Sequence, residues 1–89
     1  MSTRLTLRIV VNRSGSALNQ RFLALLRRLR IDAGLRQADL ARKLRQPQSF
    51  VSKYESGERR IDVLELREIC RVLGVSLAEF VRRLEGDSE

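Results

Sequence analysis

From residue 18 to residue 84 the apolar positions return every three or four residues, the interval of helices that bury one stripe. Leu18, Phe22, Leu25, Leu26, Leu29 and Ala33 form the first stripe, while Arg21, Arg27, Arg28 and Asp32 take other faces. Gly34 follows as the stop, because a glycine readily adopts the left-handed conformation that ends many helices. A second helix is predicted over residues 37–45, burying Leu40, Ala41 and Leu44. Pro47 is barred from a helix interior but suits a first turn. A third helix is therefore predicted over residues 47–56, with Val51 and Tyr54 buried and Gly57 as its stop. Asp62 and Glu65 have the spacing of a capping box ahead of Leu66, Ile69, Cys70 and Leu73, and Gly74 ends that fourth helix. Ser76 and Glu79 repeat the box ahead of a fifth, whose Leu77, Phe80, Val81 and Leu84 are expected to face inward.

The beginning of the chain follows another period. Leu5, Leu7, Ile9 and Val11 share one face if residues 4–12 form a strand, and residues 12–16 read as a turn or loop. No second strand candidate is present, and a lone strand leaves its backbone groups unpaired. The same strand of a second chain would satisfy it; a disordered arm is the alternative. The organisation expected is an arm or strand over residues 1–16 and a single all-α, five-helix domain over 17–86.

Composition narrows what such a domain can do. Eighty-nine residues support one small core, and with aromatics at 4% that core is aliphatic. Residues 1–60 hold 14 basic and 4 acidic side chains, whereas residues 61–89 hold 4 and 7. A basic stretch backed by an acidic one suits a polyanion partner, although an arginine-rich solvated surface would look the same. The absence of His removes imidazole catalysis and His metal sites, and the single Cys70 offers neither a disulfide nor metal-ligand spacing. No apolar run reaches the roughly 20 residues of a membrane span. The N-terminus lacks a signal-peptide pattern, so a cytoplasmic protein is expected, with no membrane partner. No motif gathers Asp, Glu, Lys or Ser into a catalytic site, so no enzyme activity, cofactor or metal is expected.

About three residues separate the second and third helices, and so tight a turn makes two short helices cross steeply. The segments GLRQADLARKL (34–44) and QSFVSKYESG (48–57) resemble the helix-turn-helix of phage lambda-type repressors and the Cro/Xre regulators. The resemblance covers roughly residues 18–84 and rests on the helix spacing, both glycines and the Tyr-Glu-x-Gly ending together. It implies a lambda-repressor-like fold and a sequence-specific regulator of transcription that binds double-stranded DNA. A repressor acting as a homodimer on a palindromic operator is the expected form.

In such domains the second helix of the motif lies in the major groove, so its solvent face must carry hydrogen-bonding side chains. Here those are Gln48, Ser49, Ser52 and Lys53. Gln suits adenine N6 and N7, Lys suits guanine O6 and N7, and Ser serves either. Helix capping is the plainer role for Gln48 and Ser49, and a phosphate contact the alternative for Lys53. The resemblance assigns phosphate contacts to Gln37, at the positive end of the second helix, and to Ser56, Arg59 and Arg60 just past the third. It also implies that Arg30 of the first helix pairs with Glu55, pinning the recognition helix.

Departures from the family pattern bear on the turn. Arg45 occupies a position that is usually Gly, so either the second helix extends slightly or the turn is reshaped. Arg36 replaces the usual Ser or Thr cap, a loss of about 1 kcal/mol. Gln46 stands where an apolar residue is common, and Phe50 falls at the edge of the recognition helix, to pack on the fourth helix or to touch a thymine methyl or sugar. Dimerisation is expected through the fifth helix or through the N-terminal strand. A different class of function remains open beside this one: an antitoxin that holds a toxin partner through residues 1–16 and represses its own operon.

Overall fold

The computed structural model describes residues 16–86; the strand or arm expected over residues 4–12, and the protein-partner role expected of residues 1–16, lie almost wholly outside them. Five helices follow in order: α1 Ala17–Asp32, α2 Gln37–Leu44, α3 Gln48–Ser56, α4 Val63–Leu73 and α5 Leu77–Glu85. No strand occurs among the described residues, so the domain is all-α. α3 packs on α2 and α1, α4 packs on α2, and α5 packs on α4 and returns to α1. The packing thus closes into a ring around one core. Leu26 and Leu29 of α1, Leu40 and Ala41 of α2, Val51 and Tyr54 of α3, Leu66, Ile69 and Cys70 of α4, and Phe80 of α5 fill it. Each fully buried aliphatic or aromatic side chain here contributes roughly 1.5–3 kcal/mol. Phe22 meets Phe80 edge-on with ring centroids 5.8 Å apart, and the Arg21 guanidinium donates to the Leu84 carbonyl at 2.6 Å; together they seat α5 on α1. Burial pushes the Cys70 thiol up to about 11, so it stays a small neutral core residue.

The local signals position these helices well. Ser16 caps α1, its hydroxyl accepting from the Asn19 N–H at 3.0 Å. The Asp62 box is reciprocal: the Glu65 N–H donates to Asp62 at 2.7 Å and the Asp62 N–H donates to Glu65 at 3.0 Å. The box expected at Ser76 is only half made. Ser76 accepts from the Glu79 N–H at 3.0 Å, but the Glu79 carboxylate turns to Arg82 and Arg83 instead of reaching back. Three residues expected inside are outside; one of them, Ala33, is exposed where α1 ends. Leu18 is 57% exposed, in a first turn that precedes the packed part of α1, and Val81 is 42% exposed. α5 buries the narrow stripe Leu77, Phe80 and Leu84, and Val81 lies about 100° around the helix from Phe80.

The turn between α2 and α3 is neither extended nor reshaped, against both expectations. α2 stops at Leu44, and Arg45 itself takes the left-handed conformation at φ 59° and ψ 42°. The Gln46 N–H donates to the Ala41 carbonyl at 2.9 Å and the Arg45 N–H to the Arg42 carbonyl at 3.0 Å, the paired bonds of a glycine-type helix ending. For a residue with a Cβ this backbone costs about 1 kcal/mol. Four other residues at positive φ, Gly34, Gly57, Gly74 and Gly86, escape that cost by having no Cβ. Arg36 is the N-cap of α2 and cannot cap with its side chain, since a guanidinium has no acceptor. Asp39 closes the turn from the other side, accepting from the Arg36 N–H at 2.9 Å and from the guanidinium at 2.9 and 3.0 Å.

Candidate nucleic-acid interface

α3 is held by its inner face. Pro47, extended at φ −65°, is the N-cap, so Gln48 opens the helix. Val51 and Tyr54 are fully buried, one turn apart on the core side. The neighbouring Glu55 side chain, 5% exposed, receives the Nε of Arg30 on Oε2 at 2.7 Å and its Nη2 on Oε1 at 3.0 Å. Arg30 Nη1 donates to the Leu35 carbonyl at 2.8 Å. One guanidinium thereby ties α1, the loop before α2, and α3 together. The hydrogen-bonded Glu55 carboxylate holds Arg30 above its ordinary pKa, against the burial that acts the other way.

Gln37 joins the same carboxylate. Its Nε2 donates to Glu55 Oε1 at 3.0 Å, so the first residue of α2 is fixed against α3. A primary amide carries two protons, and the second has no partner among the described residues. Nothing in the sequence spacing signals this bond, because residues 37 and 55 meet only through the packing of α2 on α3.

The outer face is different. Gln48, Ser49 and Lys53 are exposed, and their side chains have no partner among the described residues. Ser52 is half-buried and its hydroxyl donates to the Ser49 carbonyl at 3.3 Å, which turns it along the helix. Ser56 closes the far end, donating to the Lys53 carbonyl at 3.0 Å and accepting from the Glu58 N–H at 3.3 Å. The structure thus gathers Gln48, Ser49 and Lys53 on one exposed row, with Ser52 beside it.

Arg59 and Arg60 behave differently from each other. Arg59 lies over the Phe50 ring at 4.7 Å from its centroid and pairs with Glu65 at 3.0 Å. Phe50 in turn meets Tyr54 edge-on at 5.5 Å. The edge-of-helix aromatic therefore packs within α3 and under Arg59. A groove of about 260 Å³ lined by Pro47, Ser49, Phe50, Lys53 and Arg59 opens beside the exposed row. Arg60 is exposed and its guanidinium has no partner among the described residues. The Arg59 stack carries no sequence signal, since Phe50, Arg59 and Glu65 follow no helical or strand interval.

The pairing of charges sorts the cations by face. On and around α2 and α3, Lys43, Arg45, Lys53 and Arg60 have no acidic partner among the described residues. On α4 and α5, Arg71 pairs with Glu68, and Arg82 and Arg83 share Glu79, leaving Arg67 alone without one. On α1 Arg27 also has no acidic partner among the described residues and Arg21 meets only the Leu84 carbonyl, so the cations around α2 and α3 are the largest unpaired group rather than the sole one.

Among the described residues no cluster of acidic and cysteine side chains is placed to hold a metal ion, and no helix is long and apolar enough to cross a membrane. A helix-turn-helix family model matches residues 26–80. The fold is similar to an XRE-family-like protein from Pseudomonas syringae pv. tomato str. DC3000, at 42% identity over 82% of this chain and 91% of that one, with a TM-score of 0.73. It is also similar to the clp gene regulator ClgR of Corynebacterium glutamicum in two structures, both at 28% identity and TM-score 0.68. They cover 79% and 81% of this chain and 74% and 92% of those. The search of curated proteins finds no match.

Proposed function

The chain belongs to the Xre-type helix-turn-helix family of DNA-binding transcription regulators, and from that premise we propose that it is a repressor that reads a palindromic operator as a homodimer. The observation that carries this reading is the exposed row Gln48, Ser49 and Lys53, free of partners within the domain and mounted on a helix whose inner face is locked. Gln48 makes the bidentate contact to an adenine, Ser49 and Ser52 read the neighbouring base edges, and Lys53 reaches a guanine. Gln37, Ser56 and Arg60 take phosphates on either side of the groove. Arg59 joins them only by exchanging Glu65 for a phosphate.

One 10.3 kDa domain makes limited contact with DNA, and two half-sites one helical turn apart, about 34 Å, would double it. The exposed Val81 of α5 supports dimerisation through that helix.

Selection of bound sites from random DNA tests the reading. Paired, inverted half-sites with a fixed spacing support it; single sites or no enrichment would overturn the dimer or the DNA reading respectively. If the dimer neutralises roughly 6–8 phosphates, log K falls against log salt with a slope of about −5 to −7. A flat salt response removes the electrostatic part of the argument.

A further inference from the structure

We propose that Arg45, in the turn between α2 and α3, is a phosphate clamp, and that its left-handed backbone is retained for the guanidinium it presents. The proposal rests on the DNA-binding reading above and adds a contact at a place where the family pattern has no side chain.

Three observations converge on this residue. Arg45 is the one non-glycine at positive φ among the described residues, while the endings of α3, α4 and α5 use glycine in the same conformation. The backbone bonds of the α2 ending come from Arg45 and Gln46 N–H groups and would be made equally by glycine. The strain therefore yields nothing to the fold that a glycine would not supply, and strained positions of this kind cluster at functional sites. Second, the Arg45 side chain is exposed and has no hydrogen bond or ion pair among the described residues. The nearest acid on α2, Asp39, is already engaged by Arg36 and Arg42. Third, Arg45 precedes Gln48, the first residue of the recognition helix, by three positions, and Lys43 beside it is also exposed and unpartnered. A planar fork with five donors, placed where the chain enters the groove, fits two oxygens of a DNA phosphate.

The competing account is a surface arginine resting at the negative end of the α2 dipole. The two accounts separate in a comparison of the full chain with Arg45→Gly, Arg45→Asn and Arg45→Lys, on a site recovered by selection. Glycine and asparagine both tolerate the left-handed backbone and both lack the charge. Thermal melting and DNA titrations over a range of salt are read for each. The expected result is that Arg45→Gly melts no lower than the parent, while both it and Arg45→Asn bind roughly tenfold more weakly at every sequence tested. Their salt slopes become shallower by about 0.9 per protomer, and Arg45→Lys recovers most of both losses. Unchanged affinity and slope in Arg45→Gly and Arg45→Asn would overturn the clamp while leaving DNA binding intact. A parent chain that enriches no DNA would overturn the proposal and the reading beneath it together.

Discussion

The two faces of α3 carry similar polar chemistry and use it in opposite ways. On the inner side Glu55 is nearly sealed from solvent and accepts from Arg30 twice and from Gln37 once. On the outer side Gln48, Ser49 and Lys53 stand in solvent with no partner in the domain. A buried carboxylate must be matched on every lone pair or the fold loses the desolvation energy. An exposed amide or ammonium loses nothing by standing open, and so can be matched by a ligand instead. The Tyr54 hydroxyl is the exception on the inner side, buried with no hydrogen-bond partner among the described residues; the charged and amide groups there are matched, while those of the outer side stand open.

The largest effect should come from unsealing the inner face. Arg30→Ala leaves Glu55 buried without its cation and is expected to cost about 3–5 kcal/mol in urea or thermal unfolding. A loss below 1 kcal/mol would mean that the inner network is no more than a surface pair, and the contrast between the faces would collapse. Gln48→Ala acts on the outer face. It should lower discrimination at one base position by about 1–3 kcal/mol while stability moves by no more than about 0.5 kcal/mol. Equal weakening on every sequence would make Gln48 a backbone contact, and a large drop in melting temperature would make it a structural cap.

The smallest effect concerns partly exposed carboxylates away from α3. Hydrogen bonds from the Arg36 side chain and N–H hold Asp39 well below the usual carboxylate range, and Arg59 lowers Glu65 as Arg71 lowers Glu68. Each folded-state pKa lies below its unfolded value, so the unfolded chain takes up protons first as acid is added. Their stabilisation is therefore complete above the ordinary carboxylate range, near pH 4 to 5, and is lost as pH falls through the folded values. A urea midpoint followed from pH 7 to pH 2 should stay level and then decline. A midpoint that rises in acid would show these pairs to be destabilising, and would leave the inner face as the one region where charge supports the fold.

Much of the fold was legible because its signals act over three or four residues. Asp62 and Ser76 mark helix starts through side chains that reach the N–H three positions on, and Gly57 and Gly74 mark ends through their own φ. The outer row was legible for a related reason: once Val51 and Tyr54 point inward, helical geometry sends Gln48, Ser49 and Lys53 outward. Leu18, Ala33 and Val81 misled because periodicity gives the direction of a stripe but not its width or where the neighbouring helix ends. The charge asymmetry was visible as a count, yet a count cannot distinguish the paired Arg82 from the unpaired Arg60.

By itself the sequence determined five helices, their order, the motif between α2 and α3, and the side of α3 that meets solvent. These follow from propensity, capping and a 3.6-residue period, all local properties of the chain. Only the tertiary structure decided that Arg45 takes a backbone suited to glycine, that Gln37 shares Glu55 with Arg30, and that Arg59 covers Phe50 and turns to Glu65. Each depends on how separate helices and loops settle against one another. A side chain's partner there is chosen by packing across many residues of chain, a distance over which sequence spacing carries no geometry.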